Sequence, residues 1–292
     1  MEMRDVPTPE IPDSSFYRIA REPLIKIRAS HSSILSQLKD AWTHRELLYF
    51  LIWRDLKVRY RQTLLGVGWV ILQPLLTTIV FTIFMSKLVR VPSDGLPYPL
   101  FAYAGLLPWM FFSNSVSTST YSLISNSYII TKVYFPRLII PAAIVGVRLV
   151  DFMVASVVLM GLMLGYGISV KANILLLPLL VAEIALFSLA ISLWFSVLNI
   201  RYRDVGTLLP VLIQLWMFSS PVIYPSSLVP TRWRLFYSLN PMSGILEAIR
   251  ASLFGLPFDW TSLGISTVVT IVLFTYFVYF FCRREEDLID IL

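Results

Sequence analysis

Charged residues make up only 14% of this 292-residue sequence, about half the share that a soluble globular chain carries. With 57% hydrophobic residues and a mean hydropathy of +0.72, there is too little charge to coat a water-facing surface. That excludes a soluble enzyme, a disordered tail and a disulfide scaffold. Cysteine is nearly absent as well: Cys282 stands alone, so no internal disulfide can form. The two histidines, His31 and His44, both precede the first long apolar run, so no histidine-built metal or proton-relay site is expected in a membrane. No Gly-Lys dipeptide occurs, which removes the phosphate-cradling G-x-x-x-x-G-K-[ST] loop, and no G-x-S-x-G elbow is present. The opening MEMRDVPTPEIPD is acidic and proline-bearing without an apolar run. It predicts no cleavable signal peptide, so the first span would direct insertion. What remains is an all-α integral membrane protein.

What is present divides into crossings. A helix rising 1.5 Å per residue needs about 20 apolar residues to traverse a hydrocarbon core of about 30 Å. Arg61 to Lys87 leaves 25 uncharged residues, enough for a first span, and Asp94 to Lys132 leaves 37. The second of these holds span two, about 98–120, and a polar Ser/Thr/Asn-rich exit. Span three runs over about 139–168 and contains Arg148 and Asp151; span four, about 173–198, contains Glu183. Asp204 to Arg232 leaves 27 residues for span five, about 207–224, and Asp259 to Arg283 leaves 23 for span six. Six transmembrane helices are predicted.

The net charge of +6 reads as topology rather than as a nucleic-acid footprint. Arg45, Arg54, Lys57, Arg59, Arg61, Lys132, Arg137, Arg201, Arg203, Arg283 and Arg284 fall on one side of the predicted spans. Lys87, Arg90 and Lys171 are what the two short loops of the other side offer. The excess of Lys and Arg marks the cytoplasmic face, which predicts both termini inside.

Two segments fit neither span nor ordinary loop. In residues 44–61, Leu48, Ile52, Leu56 and Tyr60 recur at fours while Arg54, Lys57 and Arg61 line another face. This predicts an amphipathic helix in the cytoplasmic interface; a cytosolic helix packed on a partner is the compatible alternative. Residues 225–257 are too apolar for a free loop, yet the run Leu235–Leu246 is too short to cross, and proline at 221, 225, 230, 241 and 257 breaks it up. Runs of this length suit re-entrant pieces, tolerated at membrane depth where protein or a water-filled cavity surrounds them.

Ionisable residues inside the spans are few. Arg148 and Asp151, three apart on one helix, can pair. Glu183 is placed to join them near mid-depth, as a gate, a substrate contact or inter-helix glue. Gly161 and Gly165 form a GxxxG step of low specificity. Trp109, Phe111 and Phe112 in span two, and Trp216 and Phe218 in span five, face either lipid or a pore; aromatic faces stack on the C–H faces of sugars, so a pore so lined suits a polysaccharide. No catalytic residue and no metal site is predicted.

Four stretches carry a resemblance: RDLKVRYRQTLLGVGWVILQP (Arg54–Pro74), LNIRYRDV (Leu198–Val205), SSPVIYP (Ser219–Pro225) and LNPMSGILEAIR (Leu239–Arg250). In order and spacing the chain resembles the permease subunits of ATP-binding-cassette exporters that move lipid-linked polysaccharides such as O-antigen, capsule and teichoic acid, over about residues 45–285. The resemblance implies a homodimer, with two copies of a separate cytoplasmic ATPase subunit that carries the ATP and magnesium. It implies an undecaprenyl-linked substrate in the bacterial inner membrane, and no cofactor on this chain. The layout it supports is a cytoplasmic segment 1–43, an interface helix 44–61, a permease domain 62–284 and a cytoplasmic tail 285–292. Re-entrant helices would lie in 225–257 between spans five and six.

Within that layout 125–138 is the coupling segment, with Lys132, Tyr134, Phe135, Pro136 and Arg137 as its docking end. Arg54, Lys57, Arg59 and Arg61 become candidates for the lipid phosphate, positive-inside topology being the alternative explanation for them. Trp109, Phe112, Trp216, Phe218 and Tyr224 become candidates for lining the channel. Arg201, Arg203 and Asp204 would fix a cytoplasmic turn. Two other readings stay open: a drug or small-lipid exporter permease of the same class, and a membrane-embedded glycosyl or acyl transferase.

Overall fold

The structure, a computed structural model, describes residues 34–61, 65–133, 135–169 and 171–284. Most of the segment 1–43, the tail 285–292 and Tyr134 lie outside the described residues. Every regular element described is helical. In chain order these are α1 (Ile34–Thr43), α2 (Arg45–Arg61), α3 (Gly68–Phe81), α4 (Tyr98–Ser125), α5 (Ser127–Lys132), α6 (Ile139–Gly165), α7 (Leu177–Arg201), α8 (Asp204–Phe218), α9 (Arg234–Ser238), α10 (Pro241–Phe254) and α11 (Trp260–Arg284). A π-helical turn, Thr82–Val89, extends α3, and a 3-10 turn, Ala172–Leu176, leads into α7.

Among the described residues, four helical stretches are long and apolar enough to cross a membrane: Gly68–Val89, Ile139–Gly165, Ala172–Arg201 and Trp260–Arg284. They are the stretches where uniform apolarity alone specifies the element. The other two expected crossings differ from expectation. The polar run after Ser113 does not leave its helix; α4 continues for 28 residues to Ser125. Some of its hydroxyls turn back onto the helix's own carbonyls, Thr120 to Val116 at 2.8 Å and Ser122 to Ser119 at 2.7 Å, while those of Ser115 and Ser119 are buried without a partner among the described residues. Such back-bonding is how Ser and Thr stay helical where water is scarce. The same residues dilute its apolarity below that of the other four. Span five was expected to reach residue 224, but α8 stops at Phe218 after 15 residues. Pro221 and Pro225 follow directly; proline cannot donate to a helical ladder and disfavours a helical predecessor, and although the lone Pro210 is tolerated inside α8, the helix does not continue into this pair.

At about 1.5 Å per residue, α8 is only about 22 Å long.

The core forms around α4, which packs against α6 and α7, with α11 on α7 and α10 wedged among α4, α7 and α11. One large cluster joins Tyr103, Phe112, Phe187, Ile184, Val222, Met242, Ile245 and Leu246. A second, at the other end of the helices, joins Leu51, Leu123, Ile130, Phe135, Leu138, Val197 and Phe281. Helix α2 lies on α6, where Gly146 leaves room for the Ile52 side chain; a Cβ there would overlap it. Leu51 is the fully inward residue of α2, while Tyr49, Phe50, Trp53 and Val58 on its other faces are exposed. Helix α10 begins with Asn240, whose side chain accepts from the Met242 amide at 3.2 Å, followed by Pro241. Both are favoured at a helix start because they cost no ladder bond.

Candidate functional site

Two cavities among the described residues bear on function, one lined in part by the middle of α4 and the other by α8 and the segment that follows it. The first, about 180 Å³, lies where α2 meets α3, α4 and α6. Arg59 and Tyr60 reach into it from α2, Trp69 and Gln73 from α3, Asn114 from α4, and Arg148 and Asp151 from α6. Asp151 holds the group together. It accepts from Arg59 at 2.6 Å, from Arg148 at 3.3 Å and from the Tyr60 hydroxyl. Arg148 also donates to Thr118 of α4 at 2.7 Å. Burial first, and then the bond to Asp151, push the Tyr60 hydroxyl up to about 12, so it remains a donor at neutral pH. Two guanidiniums against one carboxylate leave the cavity with one excess positive charge.

The remaining predicted phosphate contacts are placed differently. Arg54 pairs with Asp55 at 2.8 Å and donates to Asn126 at 3.2 Å. Asn126 in turn bonds the Ser122 carbonyl at 2.8 Å, so α2 is tied to the corner between α4 and α5. Lys57 sits 5.0 Å over the Trp53 ring, and both Lys57 and Arg61 are exposed. The structure therefore brings Arg59 into the cavity and leaves the other three outside it.

Glu183 was expected to meet Arg148 and Asp151, and it does not. It accepts from Thr267 of α11 at 2.9 Å.

In the segment 125–138, expected to couple to the ATPase, Phe135 is buried in the second core cluster and Arg137 is also buried, with Pro136 between them. An inward Phe135 cannot be an exposed docking knob. What the segment exposes is Tyr128, Thr131, Lys132 and Val133. Lys132 bonds the Tyr128 hydroxyl at 2.9 Å and lies 4.1 Å over its ring. We expect Phe135→Leu to lower stability by about 1 kcal/mol, as shape changes in packed cores do, and Tyr128→Ala to leave it within about 0.5 kcal/mol. A thermal-melting comparison in detergent checks both.

The second cavity, about 410 Å³, is lined by Trp216, Ser219, Val229, Trp233, Phe236, Tyr237 and Asn240. The Trp216 indole donates to Asn240 at 3.0 Å, and Asn240 also bonds Ser220 at 2.9 Å. Tyr237 donates to the Tyr224 hydroxyl at 3.2 Å, and Tyr224 to the Phe218 carbonyl at 2.9 Å. Of the predicted lining residues, Trp216 belongs to this cavity, Tyr224 borders it and Phe218 is exposed on the surface. Trp109 and Phe112 are buried instead. Phe112 stacks on Phe187 at 5.2 Å and meets the edge of Trp216 at 5.1 Å, with Trp109 5.5 Å away.

Some residues escaped the sequence reading. Trp233, Phe236 and Asn240 stood in a segment read for its broken backbone, although the Asn-Pro pair at 240–241 is itself a helix-start signal. The turn after α7 is held by Asn199, which donates to Thr120 at 3.1 Å and accepts from the Gly206 amide at 2.9 Å. Arg201, Arg203 and Asp204, expected there, are exposed.

Comparison with known proteins agrees with this architecture. Residues 46–254 match the ABC-2 type transporter family. The O-antigen export system permease protein RfbA of Myxococcus xanthus is 30% identical over 254 residues, 85% of this chain and 96% of the relative. A Klebsiella pneumoniae protein of the same name is 30% identical over 206 residues, 70% of this chain and 79% of that one. The polysialic acid transport protein KpsM of Escherichia coli is 22% identical over 244 residues, 82% and 93% of the two chains. The family match spans the interface helix, both cavities and the buried helices between them: the chain belongs to the ABC-2 type transporter family.

Proposed function

We propose that this chain is the permease subunit of an ATP-driven exporter, and that it carries a lipid-linked polysaccharide of the O-antigen type across a bacterial inner membrane. The relatives named for O-antigen and polysialic acid support the substrate class. The lack of a phosphate-binding loop in the sequence supports a separate ATPase subunit that binds ATP and magnesium. The working complex is a homodimer of this chain with two such ATPases. In it α3, α4, α6, α7, α8 and α11 serve as six crossings, α9 and α10 are re-entrant, and both termini are cytoplasmic. Helix α8 is short for a crossing, and Ser219–Pro225 completes its path inside the protein, where irregular backbone is tolerated.

The observation that carries this reading is the presence in one helical bundle of a basic cavity between α2, α3, α4 and α6 and a separate aromatic one beside α8, α9 and the start of α10. A phosphate-bearing lipid head meets Arg59 and Arg148, while Arg54, Lys57 and Arg61 attract it to the surface. The sugar chain passes the aromatic cavity, where Trp216, Trp233, Phe236 and Tyr237 offer flat faces that hold a pyranose ring without fixing its position. Tyr128 and Lys132 contact the ATPase, and Phe135 supports them from below.

Export of full-length polymer in a permease-deleted host, complemented with variants, tests the proposal. Trp233→Ala with Phe236→Ala is expected to slow export about tenfold, since stacking on each aromatic face contributes about 0.5–1.5 kcal/mol, while assembly with the ATPase is retained. Failure of the unsubstituted chain to restore polymer export, together with export of a small amphiphile, would favour a small-lipid exporter of the same class.

A further inference from the structure

Arg250 is a buried cation that the proposed transport path does not use. It sits on α10 with 4% of its surface exposed. Its guanidinium donates to the Pro221 carbonyl and to the Val222 carbonyl, each at 2.6 Å, and stacks 3.8 Å over the Phe101 ring of α4. The next carbonyl, Ile223, accepts from Tyr98 of α4 at 2.8 Å. Gly105 of α4 makes the close approach possible: a Cβ there would overlap both the Arg250 guanidinium and the Val222 carbonyl.

Three successive carbonyls of the 219–225 arch are thus satisfied by two side chains from neighbouring helices rather than by a helical ladder. Pro221 has no N–H to offer, so the arch cannot zip up into a continuation of α8. The arch's own backbone bonds are local, Ser220 to Met217 at 3.2 Å and Val222 to Ser220 at 2.7 Å, so what ties its carbonyls to α4 and α10 is these side chains, and their bonds can be made or released. When pinned, Val222 and Ile223 are buried in the cluster that holds Phe112 and Phe187, while Ser219 lines the aromatic cavity. The arch therefore fills the space between the cavity and the stacked rings beneath it.

We propose that Arg250 is the positioning residue of a gate: it pins the 219–225 arch closed at rest, and translocation requires the two carbonyl bonds to be released. The proposal rests on the exporter reading above. The arch then moves as a unit, hinged where α8 ends at Phe218 and where Pro225 leads into the following turn. The guanidinium also suits release. Its Nε has no hydrogen-bond partner among the described residues, so the pinned state leaves one donor unmet.

The single cysteine permits a direct test. In a Cys282→Ser background, Val222→Cys is assembled with its ATPase in proteoliposomes and exposed to a membrane-impermeant maleimide from either face. At rest the thiol is expected to be protected. ATP with the lipid-linked glycan should raise the labelling rate about tenfold, the scale set by losing hydrogen bonds to a charged group. Arg250→Lys, which cannot span both carbonyls, should raise labelling at rest by a similar factor with the amount of assembled complex unchanged. Tyr98→Phe, which frees only Ile223, should raise it about twofold.

A Val222→Cys thiol that stays protected under ATP and glycan would overturn the gate and leave Arg250 a plain structural tie. That arm needs no arginine substitution, so it decides the question even if Arg250→Lys fails to assemble. Labelling that responds to ATP with no glycan exported would keep the gate and overturn the substrate assignment instead.

Discussion

Replacing Asp151 with alanine is expected to cut polymer export to below about a tenth and to lower the thermal midpoint of the purified complex. Asp151 is the common acceptor of Arg59 on α2, Arg148 on α6 and the Tyr60 hydroxyl. Its removal leaves two guanidiniums facing one another across the space the carboxylate occupied. At about 5 Å and an effective dielectric near 20, two like charges repel by about 3 kcal/mol. Side-chain exposures of 13% to 29% across the network permit some screening, so a net loss of about 2 kcal/mol is expected. The charge arithmetic makes the result diagnostic. Arg59→Ala on top of Asp151→Ala removes the repulsion and should restore about half of the lost stability. Export should not recover, because the cavity then lacks one of the two cations proposed to receive the lipid head. Recovery of export in the double variant would show that the arginines serve only to hold α2 on α6.

The same network shows what a sequence can and cannot disclose. Arg148 and Asp151 are three apart on a helix, so their pairing follows from helical periodicity alone, and the structure has it at 3.3 Å. The bond from Asp151 to Arg59 joins residues far apart in the chain, and no local pattern announces it. Likewise α3, α6, α7 and α11 were legible because uniform apolarity over a crossing length is sufficient evidence for a helix of that kind. Helix α4 was harder. Its Ser, Thr and Asn residues read as an exit from the membrane, whereas they continue the helix, some bonding its own carbonyls.

Facing was the least legible property. Phe135 stands beside Lys132 and Arg137 in the sequence, which reads as a knob with charged flanks. Its ring instead turns into a cluster with Ile130, Leu138 and Phe281. Whether an aromatic side chain packs inward or outward depends on which elements surround it, and those come from distant parts of the chain. For the same reason Trp109 and Phe112 were read as lining a channel and are core, while Trp233 and Phe236 were passed over and line a cavity.

That exchange of roles separates two alanine substitutions that the sequence would treat alike. Phe112 is fully buried, stacked on Phe187 and edge-on to Trp216. Phe112→Ala empties the centre of this trio and unsupports Trp109 beside it. In water such a change costs about 3–5 kcal/mol, part from transfer and part from the cavity. Between helices in a bilayer the transfer part largely vanishes, because lipid is as apolar as the protein interior and packing is what holds helices together. About 2–3 kcal/mol is therefore expected, read as a lower melting midpoint and a smaller yield of assembled complex. Export per assembled complex should change little, since the ring touches protein on every side. Trp216→Ala should behave in the opposite way. Its ring is partly buried, edge-on to Phe112 and Phe187, but it lines the aromatic cavity and its indole is held by Asn240, so its loss should slow export per complex about tenfold, with a stability cost of about 1–2 kcal/mol. If Phe112→Ala instead spared stability and blocked export, its ring would have to meet the polymer during transport, and the buried trio would have to come apart in each cycle.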